Sequence, residues 1–256
     1  MKKLTPLIFY VLLIVASCKV SKSSADITNK SINGRGEGNI RILIVTGGHG
    51  FDRPAFFEMF NSMKNIEWVE SVQPEAQKMF GEETINDYDI LVFYDMYEPI
   101  QEEEKIAFLK LLEKGKPILF LHHALVSHQN WPEYRKILGG KYYEERLLQE
   151  KPNHPYSNYL HDTDVDIKIL QKDHPITKGL SDFKVNDEVY GNTEVLPGVV
   201  PILGTTHPNS TYTIGWEHKY ANSKIVFLQP GHGASIFADD NYRRLLYQAI
   251  EYLMKK

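Results

Sequence analysis

The chain has 256 residues and a formal net charge of −4, from 29 Lys and Arg against 33 Asp and Glu. Its hydrophobic content of 42% and mean hydropathy of −0.36 are typical of a soluble globular domain and exclude collagen, a fully disordered chain and a polytopic membrane protein. We expect no nucleic-acid partner, because the sequence has no cluster of Lys and Arg that would displace phosphate counterions.

The first 18 residues are typical of a secretory leader. Lys2 and Lys3 precede an apolar run from Leu4 to Ala16, which is too short for a comfortable membrane span. The tetrapeptide VASC, which ends at Cys18, resembles a bacterial lipobox, in which the cysteine becomes the lipidated first residue. The alternative is a plain signal peptide with an incidental cysteine. We predict export and a lipid anchor at Cys18 that holds the protein to a membrane, on the periplasmic or cell-surface side.

The predicted organisation has three parts. Residues 1–17 form the signal peptide, residues 18–38 form a flexible tether, and residues 39–256 form the folded domain. The tether is rich in Ser, Lys and Gly and has almost no large apolar side chain, so it cannot bury enough surface to offset the cost of ordering.

Short apolar runs and amphipathic helices alternate in the first half of the domain. The expected elements are a strand over 40–46, a helix from Pro54, strands over 66–72 and 89–94, a helix over 101–114 and a strand over 117–121. Their short connections favour a parallel sheet with helices on both faces.

The second half is less regular. Residues 141–200 carry many Tyr, Asn, Asp and Pro, which favours long loops and short strands laid against the sheet. The segments 212–217 and 224–229 predict a hairpin, and 240–255 predict a closing amphipathic helix. The prediction is one α/β domain.

Histidines follow three of the expected strands. His49 lies in the loop after the first strand, His122 and His123 end the fourth, and His232 follows the hairpin. Ligands of an open parallel sheet bind beyond the carboxyl ends of its strands. We therefore expect His49, His123 and His232 to share a site. The other histidines that we considered are interpreted as surface or structural residues: His128, His154, His161, His207 and His218.

Carboxylates and aromatic residues fall near the same rim. Asp187 and Glu188 offer a carboxylate, which with the imidazoles would suit a divalent metal such as zinc or manganese. The same groups would equally serve as general acid and base without metal. Asp95 and Tyr97 follow the third strand and are candidates for substrate binding. Four further tyrosines either stack a sugar ring or cover a sheet edge: Tyr142, Tyr143, Tyr156 and Tyr159.

Several motifs in this order resemble the ThuA-like, or trehalose-utilisation, family. They are GGHGFD, FLHHAL, DHPITKGL with NDEVYG, and FLQPGHGASIF, and the resemblance covers about residues 40–254. It implies a class I glutamine amidotransferase-like fold, which is a flavodoxin-like sheet with helices on both faces. Amidotransferases place a nucleophilic cysteine in the turn after a central strand. Here that turn reads His122-His123-Ala124, so amidotransferase chemistry is not expected.

The resemblance also implies a role in the breakdown of disaccharides or keto-glycosides, often beside a sugar oxidoreductase. A divalent metal at the cleft would map onto His49, His123, Glu188 and His232. Two hypotheses follow. The first is a metal-assisted hydrolase, lyase or isomerase in which Glu188 and His122 are catalytic and Asp95, Tyr97, Asp187 and Tyr190 bind the substrate. The second is a non-catalytic carbohydrate-binding lipoprotein.

Overall fold

The computed structural model describes residues 38–145 and 155–255. The predicted leader with Cys18, the tether up to residue 37, and His154 lie outside the described residues. The strands are β1 Ile40–Gly47, β2 Ile66–Val72, β3 Ile90–Asp95, β4 Ile118–Leu121, β5 Gly140–Lys141, β6 Asn158–Ile169, β7 Phe183–Gly191, β8 Glu194–Val195, β9 Val200–Gly204, β10 Thr213–Tyr220 and β11 Ser223–Leu228. The helices are α1 Arg53–Asn61, α2 Glu75–Lys78, α3 Glu102–Glu113, α4 Pro132–Leu138, α5 Ala234–Phe237 and α6 Asp240–Met254.

Nine strands form one mixed sheet in the order β2-β1-β3-β4-β11-β10-β9-β6-β7. The first five are parallel, and each strand from β10 onward pairs antiparallel with its neighbour. The hairpin is confirmed as β10–β11, with Tyr220 paired to Ser223 across a two-residue turn. Strands β5 and β8 form a separate two-stranded sheet.

Alternate residues of β1 serve two hydrophobic cores. Ile42 and Ile44 pack into one core with residues of α1 and α6, whereas Leu43 and Val45 pack into the other with residues of α3 and α4. Successive side chains of a strand point to opposite faces, so this division places helices on both faces of the sheet. The predicted α/β architecture is confirmed.

Residues 141–200 differ from the prediction of long loops and short strands. They contain β6, with 12 residues, and β7, with nine, paired along most of their length. The first five residues of β6 are exposed, so this part of the strand has no apolar alternation to reveal it. Its backbone pairing with β7 supplies the order instead.

Candidate active site

Three loops at the carboxyl ends of the parallel strands bring histidines together. His49 follows β1, His123 follows β4, and His232 follows β11. The centroid of the His123 ring lies 4.2 Å from that of His49 and 5.5 Å from that of His232. The topology causes this approach, because the carboxyl ends of parallel strands meet at one edge of the sheet.

His122 occupies the turn that ends β4. Its φ of +37° lies in the left-handed region, where a side chain with a Cβ costs about 1–2 kcal/mol. Such backbone strain persists where the surroundings hold the residue in place. The His122 ring is completely buried and has polar contacts to Gln229, Glu188 and Tyr190. The turn that carries a nucleophile in amidotransferases therefore carries a fixed imidazole here.

These contacts leave one nitrogen of His122 facing another electron-rich atom. Nδ1 is bonded to the backbone oxygen of Gln229, which only accepts, so Nδ1 carries the hydrogen. Nε2 lies 2.7 Å from Oε2 of Glu188 and 2.9 Å from the Tyr190 hydroxyl. In a neutral ring, the lone pair of Nε2 would face a carboxylate at 2.7 Å, which is repulsive. A proton or a metal cation therefore belongs between these two atoms.

Four described side chains place ligand-type atoms within 4.8 Å of one another: His122, His123, Glu188 and His232. We call this set the His/Glu cluster. His123 is buried and its Nδ1 has no hydrogen-bond partner, which is the environment of a nitrogen that awaits a ligand. His49 lies beside the cluster rather than in it.

The electrostatics of the His/Glu cluster suit a divalent cation. Burial and the neighbouring imidazoles lower the pKa of His123 well below its ordinary value, and the same causes lower the pKa of His232. Both rings are therefore neutral near pH 7 and can donate a lone pair. Burial opposes ionisation of Glu188, but the hydrogen bond with His122 and the surrounding imidazoles hold its pKa below the usual value. The residues present thus fit a bound metal.

Asp187 holds the loop that carries His232. Its carboxylate accepts hydrogen bonds from the backbone N–H groups of Gly231, at 2.8 Å, and His232, at 2.9 Å. The Tyr94 hydroxyl donates to the oxygen of Gly231 at 2.9 Å. The sequence predicts substrate binding by Asp187, but the structure turns both of its carboxylate oxygens toward the backbone. Asp187 therefore positions His232.

A cavity of about 890 Å³ opens beside the His/Glu cluster. His49, His123 and Glu188 line one side of it. Tyr190, which the sequence predicts to bind substrate, lines it as well. A small molecule in this cavity would therefore contact both the cluster and the tyrosine that is hydrogen-bonded to it.

The sequence model of the family described as ThuA, trehalose utilisation, matches residues 41–253. The chain belongs to the ThuA family. This membership supports a carbohydrate-related function, in agreement with the resemblance of the motifs. A comparison with curated proteins found no match.

Solved structures share the fold of this ThuA-family protein. A thua-like protein from Parabacteroides merdae ATCC 43184 is 17% identical, with a TM-score of 0.72 over 85% of this chain and 90% of its own. One from Bacteroides uniformis ATCC 8492 is 20% identical, with a TM-score of 0.65 over 88% and 96%. A cytoplasmic protein from Salmonella typhimurium LT2 is 10% identical, with a TM-score of 0.61 over 84% and 100%. Identities this low show the fold alone.

Asp95 and Tyr97 do not contribute to the described wall of the cavity. Asp95 is completely buried, and Gln73 donates Nε2 to its Oδ2 at 2.9 Å. Its Oδ1 has no hydrogen-bond partner, and burial raises the pKa of Asp95 to about 7. The Ser127 hydroxyl donates to the backbone oxygen of Asp95 and accepts from the N–H of Tyr97. The sequence predicts that both residues bind substrate, but the structure gives them contacts within the protein.

Replacing Asp95 with Asn should make stability less dependent on pH. The native wild type holds the Asp95 proton up to about pH 7, whereas the unfolded chain loses it near pH 3.8. The free energy of unfolding of the wild type therefore falls as pH rises between these values. Asn has no proton to lose, so the variant should gain up to roughly 4 kcal/mol relative to the wild type across that range. Urea unfolding of both proteins from about pH 4 to 8 measures this. Parallel curves would show that native Asp95 ionises with an ordinary pKa.

His161 lies against the His/Glu cluster, although the sequence analysis assigns it a surface or structural role. Its Nδ1 is 3.2 Å from Oε1 of Glu188, and its ring centroid is 4.7 Å from that of His232. Nothing in the flanking sequence distinguishes His161 from a surface histidine. Its place in the site follows from the pairing of β6 with β7.

A β-bulge brings His161 to the cluster. The β6–β7 ladder shifts between Leu160 and Thr163, so that His161 and Asp162 together oppose the single residue Glu188. Asp162 takes a φ of +50° there. A bulge of this kind redirects a side chain beside a functional site. Prediction of His161 would have required the strand register, which the local sequence does not carry.

Proposed function

We propose that this ThuA-family protein is a metal-assisted hydrolase, lyase or isomerase that acts on a disaccharide or a keto-glycoside. The observation that carries the proposal is the 2.7 Å approach of His122 Nε2 to Glu188 Oε2 within the His/Glu cluster, because this contact requires a cation. His123 and His232 would complete the ligand set, with His49 beside it. A bound divalent ion such as zinc or manganese would polarise a carbonyl or hydroxyl oxygen of the sugar.

Glu188 is suited to accept a proton from the substrate. Its Oε2 faces His122, whereas its Oε1 faces His161, and the residue lines the cavity. Because its pKa is held low, the carboxylate is ionised near pH 7. It can then take a proton from a carbon beside a keto group or from a hydroxyl. His122 would share that proton through Nε2.

Tyr190 is suited to stabilise the oxygen that gains negative charge. Burial raises the pKa of Tyr190 well above its ordinary value, so the hydroxyl stays protonated. It lines the cavity beside His122 and can donate a hydrogen bond to an oxygen of the substrate. A fixed donor in a water-poor site contributes more to a developing charge than one in bulk water.

A non-catalytic carbohydrate-binding protein is the alternative. The exposed tyrosines of the cavity would serve such a protein, but a binding module does not need a cluster of buried titratable groups with shifted pKa values. The convergence of His122, His123 and Glu188 therefore favours the enzyme.

We propose that the protein is exported and lipid-anchored through Cys18, with a small carbohydrate and the membrane as its partners and no nucleic-acid partner. We also propose that a sugar oxidoreductase acts in the same pathway. The basic start, the apolar run and the VASC tetrapeptide support export and anchoring. Among the described residues, none of the helices has the length and apolar character needed to cross a bilayer. Fractionation of cells tests the anchor: a Cys18→Ser variant that stays in the membrane fraction would contradict it.

Bound metal is the first test of the catalytic proposal. Elemental analysis should find about one divalent ion per chain in the wild type, and His232→Ala should bind the ion at least about tenfold more weakly. The matched control is His174→Ala, because His174 packs against Tyr252 outside the cluster. Metal-loaded protein is then assayed for turnover of trehalose and of its 3-keto derivative. Wild type that takes up no metal would contradict the proposal, and sugar binding without any product would support the alternative.

A further inference from the structure

The cavity extends beyond the His/Glu cluster to exposed aromatic side chains. Its volume of about 890 Å³ lies near the upper end of the 300–1,000 Å³ that is typical of pockets for drug-sized ligands. Tyr156 and Tyr159 line the part formed by β6 and the residues just before it. One sugar ring at the cluster would therefore leave room for a second ring against these tyrosines.

The register of β6 and β7 places Tyr159 beside the reactive groups. Tyr159 pairs directly with Tyr190, so both side chains lie on the same face of the ribbon. Tyr190 contacts His122 through its hydroxyl, whereas the Tyr159 ring lies 4.9 Å from the His161 ring. The His161 ring is in turn 4.7 Å from that of His232. A row of rings thus leads from the exposed tyrosine to the cluster.

The backbone that carries these tyrosines is fixed, while their side chains are exposed. Ser157 donates its N–H to the oxygen of Tyr143 at 2.7 Å, and its hydroxyl accepts from the N–H of Tyr143 at 2.9 Å and donates to the oxygen of Asn192 at 2.9 Å. The exposed fractions of Tyr156 and Tyr159 are nevertheless 45% and 59%. Large exposed aromatic rings on an anchored backbone are typical of a binding surface, since little order is lost on binding.

The two remaining tyrosines of the sequence analysis have other contacts. Tyr143 is buried and its hydroxyl bonds to Glu194. Tyr142 lines the cavity, but it is buried and its ring packs against Tyr190. The structure therefore separates the four tyrosines into two that support the wall and two that face the cavity.

We propose that Tyr156 and Tyr159 form a subsite for the second ring of the substrate, with Tyr159 as the ring on which it stacks. The inference rests on the proposed carbohydrate function and narrows it to glycosides of at least two units. The first ring lies against the His/Glu cluster, and the apolar face of the second ring packs on Tyr159. Single sugars lack that second contact and bind more weakly.

Calorimetric titration of the metal-loaded, full-length protein tests the subsite. The probes are methyl α-glucoside, as a single ring, and the disaccharides trehalose, maltose, cellobiose and sucrose. The wild type should bind at least one disaccharide more tightly than the single ring. Tyr159→Ala should weaken that disaccharide by about 2–12-fold and leave methyl α-glucoside unchanged. The matched control is Tyr212→Ala, because Tyr212 is equally exposed, at 55%, and is not among the described residues that line the cavity.

Each contrary result has its own meaning. If Tyr159→Ala weakens both kinds of probe equally, or neither, the subsite proposal is wrong while the carbohydrate function stands. If every disaccharide binds the wild type no more tightly than the single ring, the second contact does not exist. If no sugar binds the metal-loaded wild type, the proposed function fails and the subsite fails with it.

Discussion

The Glu188→Gln variant should bind a divalent ion at least 10–100-fold more weakly than the wild type and should lose turnover by about 10²–10⁴-fold. Glu188 is the one carboxylate in the His/Glu cluster of described residues, so the substitution removes the negative charge that complements the cation. It also removes the group that accepts the proton of the substrate. Calorimetry with zinc or manganese and the assay on trehalose and its 3-keto derivative measure the two effects separately.

The fold should survive this substitution. Gln has the shape of Glu, and its amide can donate a hydrogen bond to the lone pair of His122 Nε2, which replaces the repulsive contact of the metal-free carboxylate. The matched control is Glu217→Gln, since Glu217 accepts a hydrogen bond from Tyr252 outside the cluster. Unchanged metal affinity in a folded Glu188→Gln protein would show that the ion, if one binds, is held elsewhere.

The parallel half of the sheet can be predicted from the sequence because its signals are local. The run predicted as a strand over 89–94 is β3, Ile90–Asp95, and the predicted closing helix over 240–255 is α6, Asp240–Met254. Each pattern has a short period and ends at a change in composition. The strand ends also place His49, His123 and His232 at one edge, because the edge follows from the order of the strands alone.

The contacts made by individual side chains depend on long-range pairing, and the sequence does not carry them. Asp187 and Glu188 are adjacent, so the sequence offers either one as the carboxylate of the site. Because neighbours on a strand point to opposite faces, Asp187 faces the backbone of the His232 loop and Glu188 faces His122. His161 depends further on a bulge.

Replacing Gly48 with Ala should destabilise the protein by roughly 3–5 kcal/mol and weaken metal binding with it. A Cβ at Gly48 would lie 1.8 Å from the backbone oxygen of Met96, and the residue has a φ of +82°. The neighbouring backbone cannot give way easily, because Met96 donates its N–H to the oxygen of Gly47 at 2.8 Å. Relief of the clash would move the end of β1 away from β3. His49, the next residue, would then move relative to His123.

Gly50→Ala provides the matched control for this experiment. A Cβ at Gly50 meets no atom within 4 Å, and its backbone is not in the left-handed region. The control should therefore change the free energy of unfolding by no more than about 0.5 kcal/mol. Urea unfolding and zinc titration of the three proteins measure both effects. Equal stability of the two variants would mean that the crossing of β1 and β3 is looser than the structure shows. The same contact fixes the direction of the His49 loop, so a loose crossing would also separate His49 from the cluster.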